Sequence, residues 1–311
     1  MNDIGFWKLP PFRVEFLARA QDMTDGVDWA SSAYGVPSLW KKTKGEGVSV
    51  AVLDTGIAEH DALDGAVSMG RSFLAGEIPE NIADISGHGT HVAGIIAARR
   101  GPAMGVAPAS KLMIFKCLSG NGMGSLVGVS EAMQAAIESK ADIISISLGS
   151  QFPDQAMYEK VKAAKAAGIL IVCAAGNDGA GVNFPAAFPE CIGVSAVGRL
   201  GEACAFSSRG AEVMVAAPGS QITSTWIRNS YATLSGTSMS APFVAGILAL
   251  YIASKRANGE AVTEASIKEA VKETSMDVGD CGKDDLYGWG LINPPAMIEK
   301  KSIAKNKTTE K

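Results

Sequence analysis

The sequence predicts an α/β fold in which a mostly parallel central sheet carries helices on both faces. Three observations predict it. Short apolar runs alternate with helix-period stretches along most of the chain, the pattern of parallel strands joined by crossover helices. The runs are almost continuously apolar, as strands buried on both faces must be. No fixed-period repeat and no long polar linker divides the 311 residues, so one catalytic-size domain accounts for them.

Taken in order, the first stretch of note is Trp7-Lys8-Leu9-Pro10-Pro11-Phe12, whose two prolines bar a regular helix or a central strand and favour an irregular, extended arm. The first buried-strand run, Val48 to Leu53, ends at Asp54-Thr55-Gly56. That puts an acid at the C-terminal edge of a parallel sheet, where sites form, although an aspartate also caps turns there. In Ser86-Gly87-His88-Gly89-Thr90-His91-Val92-Ala93-Gly94, glycines precede a helical run from Thr90 to Arg99. Histidines three apart could face one metal, but no acid lies between them and no cysteine is near, so the H-E-x-x-H pattern is absent. Further strand runs fall at Leu112 to Leu118, Asp142 to Leu148, Ile169 to Ala175, Ile192 to Val197 and Val213 to Ala217. Helix-period stretches fall at Leu126 to Lys140, Ala156 to Ala167, Met239 to Ala253 and Glu264 to Glu273.

Three loops between these elements carry polar groups. Ser119-Gly120-Asn121-Gly122-Met123-Gly124 lacks the lysine ending of a phosphate loop and the dinucleotide-fold spacing. It reads as a surface loop or as an open edge able to accept an extended peptide. Asn177, among glycines at the end of a strand run, is a turn residue or an amide donor for a developing oxyanion. Gly236-Thr237-Ser238-Met239 runs straight into an apolar segment. Ser238 is there a helix cap, or a nucleophile placed where unpaired first-turn N–H groups and the helix dipole favour negative charge.

Composition excludes several classes. At 47% hydrophobic the chain can bury a large core, and a net charge of −4 leaves no basic footprint for nucleic acid. The lysine-rich end, residues 299–311, reads as a disordered tail. No apolar run is expected to span a membrane, and residues 1–20 lack a secretory pattern. The five cysteines are odd in number, widely spaced and without a C-x-x-C pair, which predicts free thiols and a reducing, cytoplasmic setting. No feature sets an oligomeric state.

Asp54-Thr55-Gly56, His88-Gly89-Thr90-His91-Val92-Ala93-Gly94, Asn177 in its glycine turn and Gly236-Thr237-Ser238-Met239 together resemble the signatures of the subtilisin-like serine proteases, in that family's order. The likeness extends over Ser145-Ile146-Ser147-Leu148-Gly149 and Tyr287-Gly288-Trp289-Gly290-Leu291-Ile292-Asn293. It implies a three-layer subtilisin-like fold over residues 23–298 and a serine endopeptidase of broad specificity working through an acyl-enzyme. Ser238 would be the nucleophile, His88 the base, Asp54 the group that orients it, and Asn177 an oxyanion donor, while His91 would be structural. Protein or peptide substrates would lie extended between Gly122-Met123-Gly124 and Ser147-Leu148-Gly149. Asn183 would border the pocket before the cut, where many relatives have glycine, and Asp178 would lie at its rim, which suits polar or basic residues.

The resemblance is closest in organisation to intracellular subtilisins, whose short N-terminal arm bears a Leu-Ile-Pro-Tyr/Phe motif that blocks the active site. Residues 1–22, with Leu9-Pro10-Pro11-Phe12, are therefore expected to be an autoinhibitory extension, too short for the folding prodomain of secreted relatives. The family needs no cofactor for catalysis. Its calcium loop after the histidine helix is here the shorter Arg99-Arg100-Gly101-Pro102-Ala103-Met104, without the asparagine ligand, and His60-Asp61-Ala62-Leu63 replaces His-Pro-Asp-Leu. Any calcium would be structural, and this site is expected to be lost. Two other readings remain at this stage: a metal-dependent hydrolase using His60, His88 and His91, or an inactive binding protein on the same fold.

Overall fold

The computed structural model describes residues 6–19 and 23–299. The predicted tail, from residue 300 on, lies outside the described residues, as do residues 1–5 and 20–22 of the N-terminal extension.

The arm forms two strands, β1 (Phe6–Lys8) and β2 (Arg13–Arg19), interrupted by the two prolines. Short helices α1 (Trp29–Ala33) and α2 (Val36–Leu39) lead into β3 (Ser49–Asp54), β4 (Val67–Ser72), α3 (His88–Ala97) and β5 (Lys111–Lys116). Then follow β6 (Met123–Ser125), α4 (Leu126–Glu138), β7 (Ile143–Ile146), α5 (Gln155–Ala166) and β8 (Leu170–Ala174). The chain continues through β9 (Ile192–Val197), β10 (Val213–Pro218), the hairpin of β11 (Ile222–Trp226) and β12 (Ser230–Ser235), α6 (Thr237–Ala257), α7 (Glu264–Thr274) and α8 (Pro294–Glu299).

Seven strands make one parallel sheet in the order β10-β9-β8-β7-β3-β5-β4. Strand alternation divides its apolar residues between two cores. Val50, Val52, Leu112 and Ile114 pack with α3 and α6, while Ala51, Leu53, Met113 and Phe115 pack with α4 and α5. This is the predicted α/β architecture with helices on both faces. From β3 the chain builds outward to one side through β5 and β4 and to the other through β7, β8, β9 and β10, so strand order reverses at β3. Crevices open at the carboxyl ends of strands beside such a reversal, and Asp54 is the last residue of β3.

The elements that the sequence concealed are the polar ones. β4, with Arg71, Ser68, Ser72 and Gly70, is an edge strand that needs to bury little. β11 is rich in serine and threonine because it packs on α3 through hydroxyl–carbonyl bonds: Ser224 Oγ to His91 O (2.9 Å) and Thr225 Oγ1 to Thr90 O (2.8 Å). Helix α6 is apolar all round. Its 21 residues and mean hydropathy of 1.5 would satisfy a membrane span, contrary to the expectation that no apolar run reaches that length, but 94% of that window is buried inside the chain, as a central core helix must be.

Candidate active site

Asp54 and His88 meet at the carboxyl edge of the sheet. His88 Nδ1 lies 2.8 Å and 3.0 Å from the two Asp54 carboxylate oxygens, and both residues are buried. Because the carboxylate can only accept, Nδ1 carries the proton and Nε2 is left as the basic nitrogen. His88 Nε2 has no hydrogen-bond partner among the described residues. One Asp54 oxygen also accepts the Thr55 N–H at 2.7 Å, which holds the carboxylate plane.

A residue that the sequence reading passed over sets this geometry. The buried Asp84 carboxylate accepts from Thr55 Oγ1 (2.9 Å), Ser86 N–H (2.9 Å) and Gly87 N–H (2.9 Å) through one oxygen, and from Thr90 N–H (2.9 Å) and Thr90 Oγ1 (2.7 Å) through the other. It thereby satisfies N–H groups at the start of α3 and lets that helix begin at His88 itself, two residues before the predicted start. The legible signal was Asp84-Ile85-Ser86-Gly87, an acid two and three residues ahead of N–H groups at a helix start.

Ser238 is the second residue of α6, so its N–H belongs to the first turn, whose donors no helix can pair internally. Its side chain donates to Ser147 O (3.2 Å), while Ser147 Oγ donates to Ser238 O (3.1 Å). The second bond has a covalent cause. Pro242 inside α6 has no N–H for the carbonyl four residues back, which is that of Ser238, and Ser147 supplies the missing donor. The structure therefore brings Ser238 to the end of β7 and does not hydrogen-bond it to His88.

Asn177 is held by its oxygen. Asn177 Oδ1 accepts from Thr237 N–H (2.9 Å) and Thr237 Oγ1 (2.7 Å), which leaves Nδ2 turned to the cleft. A backbone N–H can only donate, so the amide orientation is determined. Gly236 permits this approach: a Cβ there would stand 2.8 Å from Asn177 Nδ2.

The arm occupies the cleft between the two loops that the resemblance assigned to substrate. β1 pairs antiparallel with β6, setting Trp7 opposite Gly124 and Lys8 opposite Met123. On the other side Lys8 N–H and Gly149 N–H exchange bonds with each other's carbonyls at 3.2 Å and 2.9 Å, and Leu9 N–H reaches Gly122 O at 2.9 Å. Gly122, at φ +77°, both turns the loop and leaves room for the Leu9 side chain. Farther along, Pro11 O accepts the Asn177 amide at 2.8 Å, and the Phe12 ring lies 5.0 Å from that of His88. Leu148 is buried in the core beneath. Asn183 projects between Gly149 and Gly176, close to the positions where a Cβ on either would lie. At the rim, burial works to raise the Asp178 pKa, but hydrogen bonds from Ser208 (2.7 Å) and Gln151 (2.9 Å) outweigh it and hold the carboxyl below the usual range.

The three histidines do not converge. His60 contacts Ser230 O through Nε2 (3.0 Å) and accepts the Ala62 N–H at Nδ1, and His91 spends Nε2 on Ile222 O and Ala232 O. Among the described residues no group of three or more His, Cys, Asp or Glu side chains is gathered as a metal site. The loop expected to have lost calcium does not fit one: Arg100 donates to Asp61 O (2.7 Å) and contacts Asp64, while the Asp61 carboxylate takes the Asn229 amide (2.9 Å). The Arg100 guanidinium thus already engages Asp61 O and one Asp64 oxygen.

Residues 45–290 match the sequence profile of the subtilase family. The chain is 40% identical over 279 residues to an intracellular serine protease of Paenibacillus polymyxa, which covers 86% of this chain and 85% of that one. It is 36% identical over 274 residues to subtilisin Savinase of Lederbergia lenta, 87% of this chain and 98% of the relative. With the minor extracellular protease Epr of Bacillus subtilis (strain 168) it shares 33% identity over 309 residues, 97% of this chain but 47% of the relative, so it spans about half that protein's length.

Proposed function

We propose the following division of labour for this chain, which belongs to the subtilase family and is a serine endopeptidase that needs no cofactor for catalysis. Ser238 Oγ attacks the scissile carbonyl as His88 Nε2 takes its proton. Asp54 holds the imidazole with Nδ1 protonated and stabilises the cation that forms. The oxyanion is received by Asn177 Nδ2 and the Ser238 N–H. His88 then protonates the leaving amine, and water hydrolyses the acyl-enzyme by the same route reversed. The observation that carries this reading is the Asn177 amide, which already donates to a peptide carbonyl, that of Pro11, at 2.8 Å. For Ser238 to act, its side chain must leave Ser147 O and turn to His88.

Residues 6–19 are proposed to be an autoinhibitory arm. Support comes from its strand pairing with both cleft edges, the Pro11 carbonyl on Asn177 and the Phe12 ring over His88. Trp7, entirely buried in the second core, anchors it. Pro10 and Pro11 lack N–H donors, so the arm cannot complete the ladder next to the reacting carbonyl and resists being cut. A cytoplasmic location is proposed from the free cysteines, three of them buried, and from the intracellular relative. Protein substrates would lie extended along the same edges, Gly122-Met123-Gly124 and Ser147-Leu148-Gly149. Asn183 and Asp178 would favour polar or basic residues before the cut.

Fluorophosphonate labelling of the full chain and of a chain lacking residues 1–22 tests both proposals. Labelling mapped to Ser238, lost in Ser238→Ala and faster without the arm, is expected. An unlabelled Ser238 in the shortened, folded chain would refute the nucleophile, and equal rates would refute inhibition. The Ser238→Ala change should lower kcat about 10⁶-fold, the size known for the subtilisin nucleophile.

A further inference from the structure

The arm does not end at the catalytic contact. Counting from Pro11, whose carbonyl takes the Asn177 amide, residues Arg13 to Arg19 are the second to eighth beyond that carbonyl. They run antiparallel along β12: Arg13 opposite Ser235, Val14 opposite Leu234, Phe16 opposite Thr233 and on to Arg19 opposite Ser230, with one irregularity at Glu15. β12 has β11 on its other side, so without the arm its outer row of N–H and C=O groups would be an open edge. That edge leads in three residues from Ser235 to Ser238, so its register relative to the nucleophile is set by the chain itself.

Apolar burial does not hold β2 in place, and one side-chain bond joins it to β12, from Ser235 Oγ to the exposed Glu15 carboxylate. Val14 is 39%, Phe16 56% and Leu17 58% exposed. Along the rest of its length β2 is joined to β12 by main-chain pairing, a mode open to any extended polypeptide whatever its sequence. β1 is the contrast, since it buries Trp7 completely.

We propose that the outer edge of β12 is an extended binding site for the leaving side of a polypeptide substrate, holding by strand addition the second to eighth residues after the cut once β2 has left it. The inference rests on the Ser238 protease reading. It names the substrate class as unfolded or locally extended protein: a short peptide engages only the first part of the edge, a folded loop cannot present seven extended residues, and the new N-terminal segment of the product stays paired until it peels away.

The test uses the full chain and internally quenched peptides identical before the cut, carrying two or eight residues after it. The eight-residue peptide should show about tenfold or greater kcat/KM, mostly through KM, because the pairing is the same in the ground state and the transition state. A second series places one backbone N-methyl group at each of the fifth to eighth residues after the cut, opposite Thr233 to Ser230. In an antiparallel pair only alternate N–H groups face the partner, so two alternate positions should each lose about three- to tenfold and the other two nothing. Equal kcat/KM for the two lengths, or equal losses at all four positions, would overturn the proposal and leave the triad standing. Cleavage of neither peptide by the full chain or by the chain lacking residues 1–22 would overturn both.

Discussion

Replacing Trp7 with alanine should release the arm. The side chain is fully buried between β6 and the apolar surface of the second core. An indole of this kind hides on the order of 150–250 Å², and truncating a buried Trp costs about 3–5 kcal/mol. Part of that is already forfeited, because Trp7 Nε1 is buried without a hydrogen-bond partner among the described residues, a penalty of about 1–2 kcal/mol. The net loss from the seated arm is then about 1–4 kcal/mol, or a shift of about 5- to 700-fold between seated and lifted arm at about 1.4 kcal/mol per tenfold. The initial rate of hydrolysis of a chromogenic tetrapeptide by the Trp7→Ala chain should rise accordingly, up to the ceiling set by the chain lacking residues 1–22. Thermal unfolding of the variant, measured in parallel, should keep a single transition, since Trp7 lies on the arm. If Trp7→Ala unfolds normally and the shortened chain is active, yet the rate does not move, the arm is not held by this anchor and the reasoning fails.

Three other outcomes follow from the site. Asn177→Ala should lower kcat about 10²–10³-fold with little change in KM, the magnitude found for the subtilisin oxyanion asparagine; a change confined to KM would assign the amide to binding instead. Asp54→Asn keeps the size but lets His88 adopt the wrong tautomer, and should cost kcat about 10⁴-fold, which a pH–rate profile and stopped assays in the shortened chain would measure. His91 is driven down to about 3 by burial first and by His88 beside it. The unfolded chain takes that proton near pH 6.5, its ordinary value, so between pH 6.5 and 3 the unfolded state binds a proton that the folded state does not. Stability should therefore fall as pH drops through this window, by up to about 1.4 kcal/mol per unit. Urea midpoints at pH 7 and pH 4.5 should differ, and by less in His91→Leu; the same difference in both chains would place the acid sensitivity elsewhere.

Much of the fold and the site was legible in the sequence because it depends on local pattern. Continuous apolar runs announce strands buried on both faces, and β3, β5, β7, β8, β9 and β10 fall on the six runs read as strands. Asp54 and Asn177 declared themselves by following such runs, and Ser238 by standing at the start of α6. Elements whose stability comes from elsewhere stayed hidden. β4 is an edge strand, and β11 buries hydroxyls against helix carbonyls, so neither carries an apolar signature. Asp84 looked like one more loop acid, although five donors from Thr55 to Thr90 converge on it.

The sequence by itself determined the chemistry: which residue types stand at which strand ends, and that two prolines interrupt the N-terminal segment. Only the tertiary structure decided where that segment goes. Strand addition is carried by backbone N–H and C=O groups, so apart from Glu15, which takes the Ser235 hydroxyl, Arg13 to Arg19 contain nothing that names β12 as their partner. The pairing follows from an edge left open beside Ser238 and from an anchor at Trp7 that brings the arm to it.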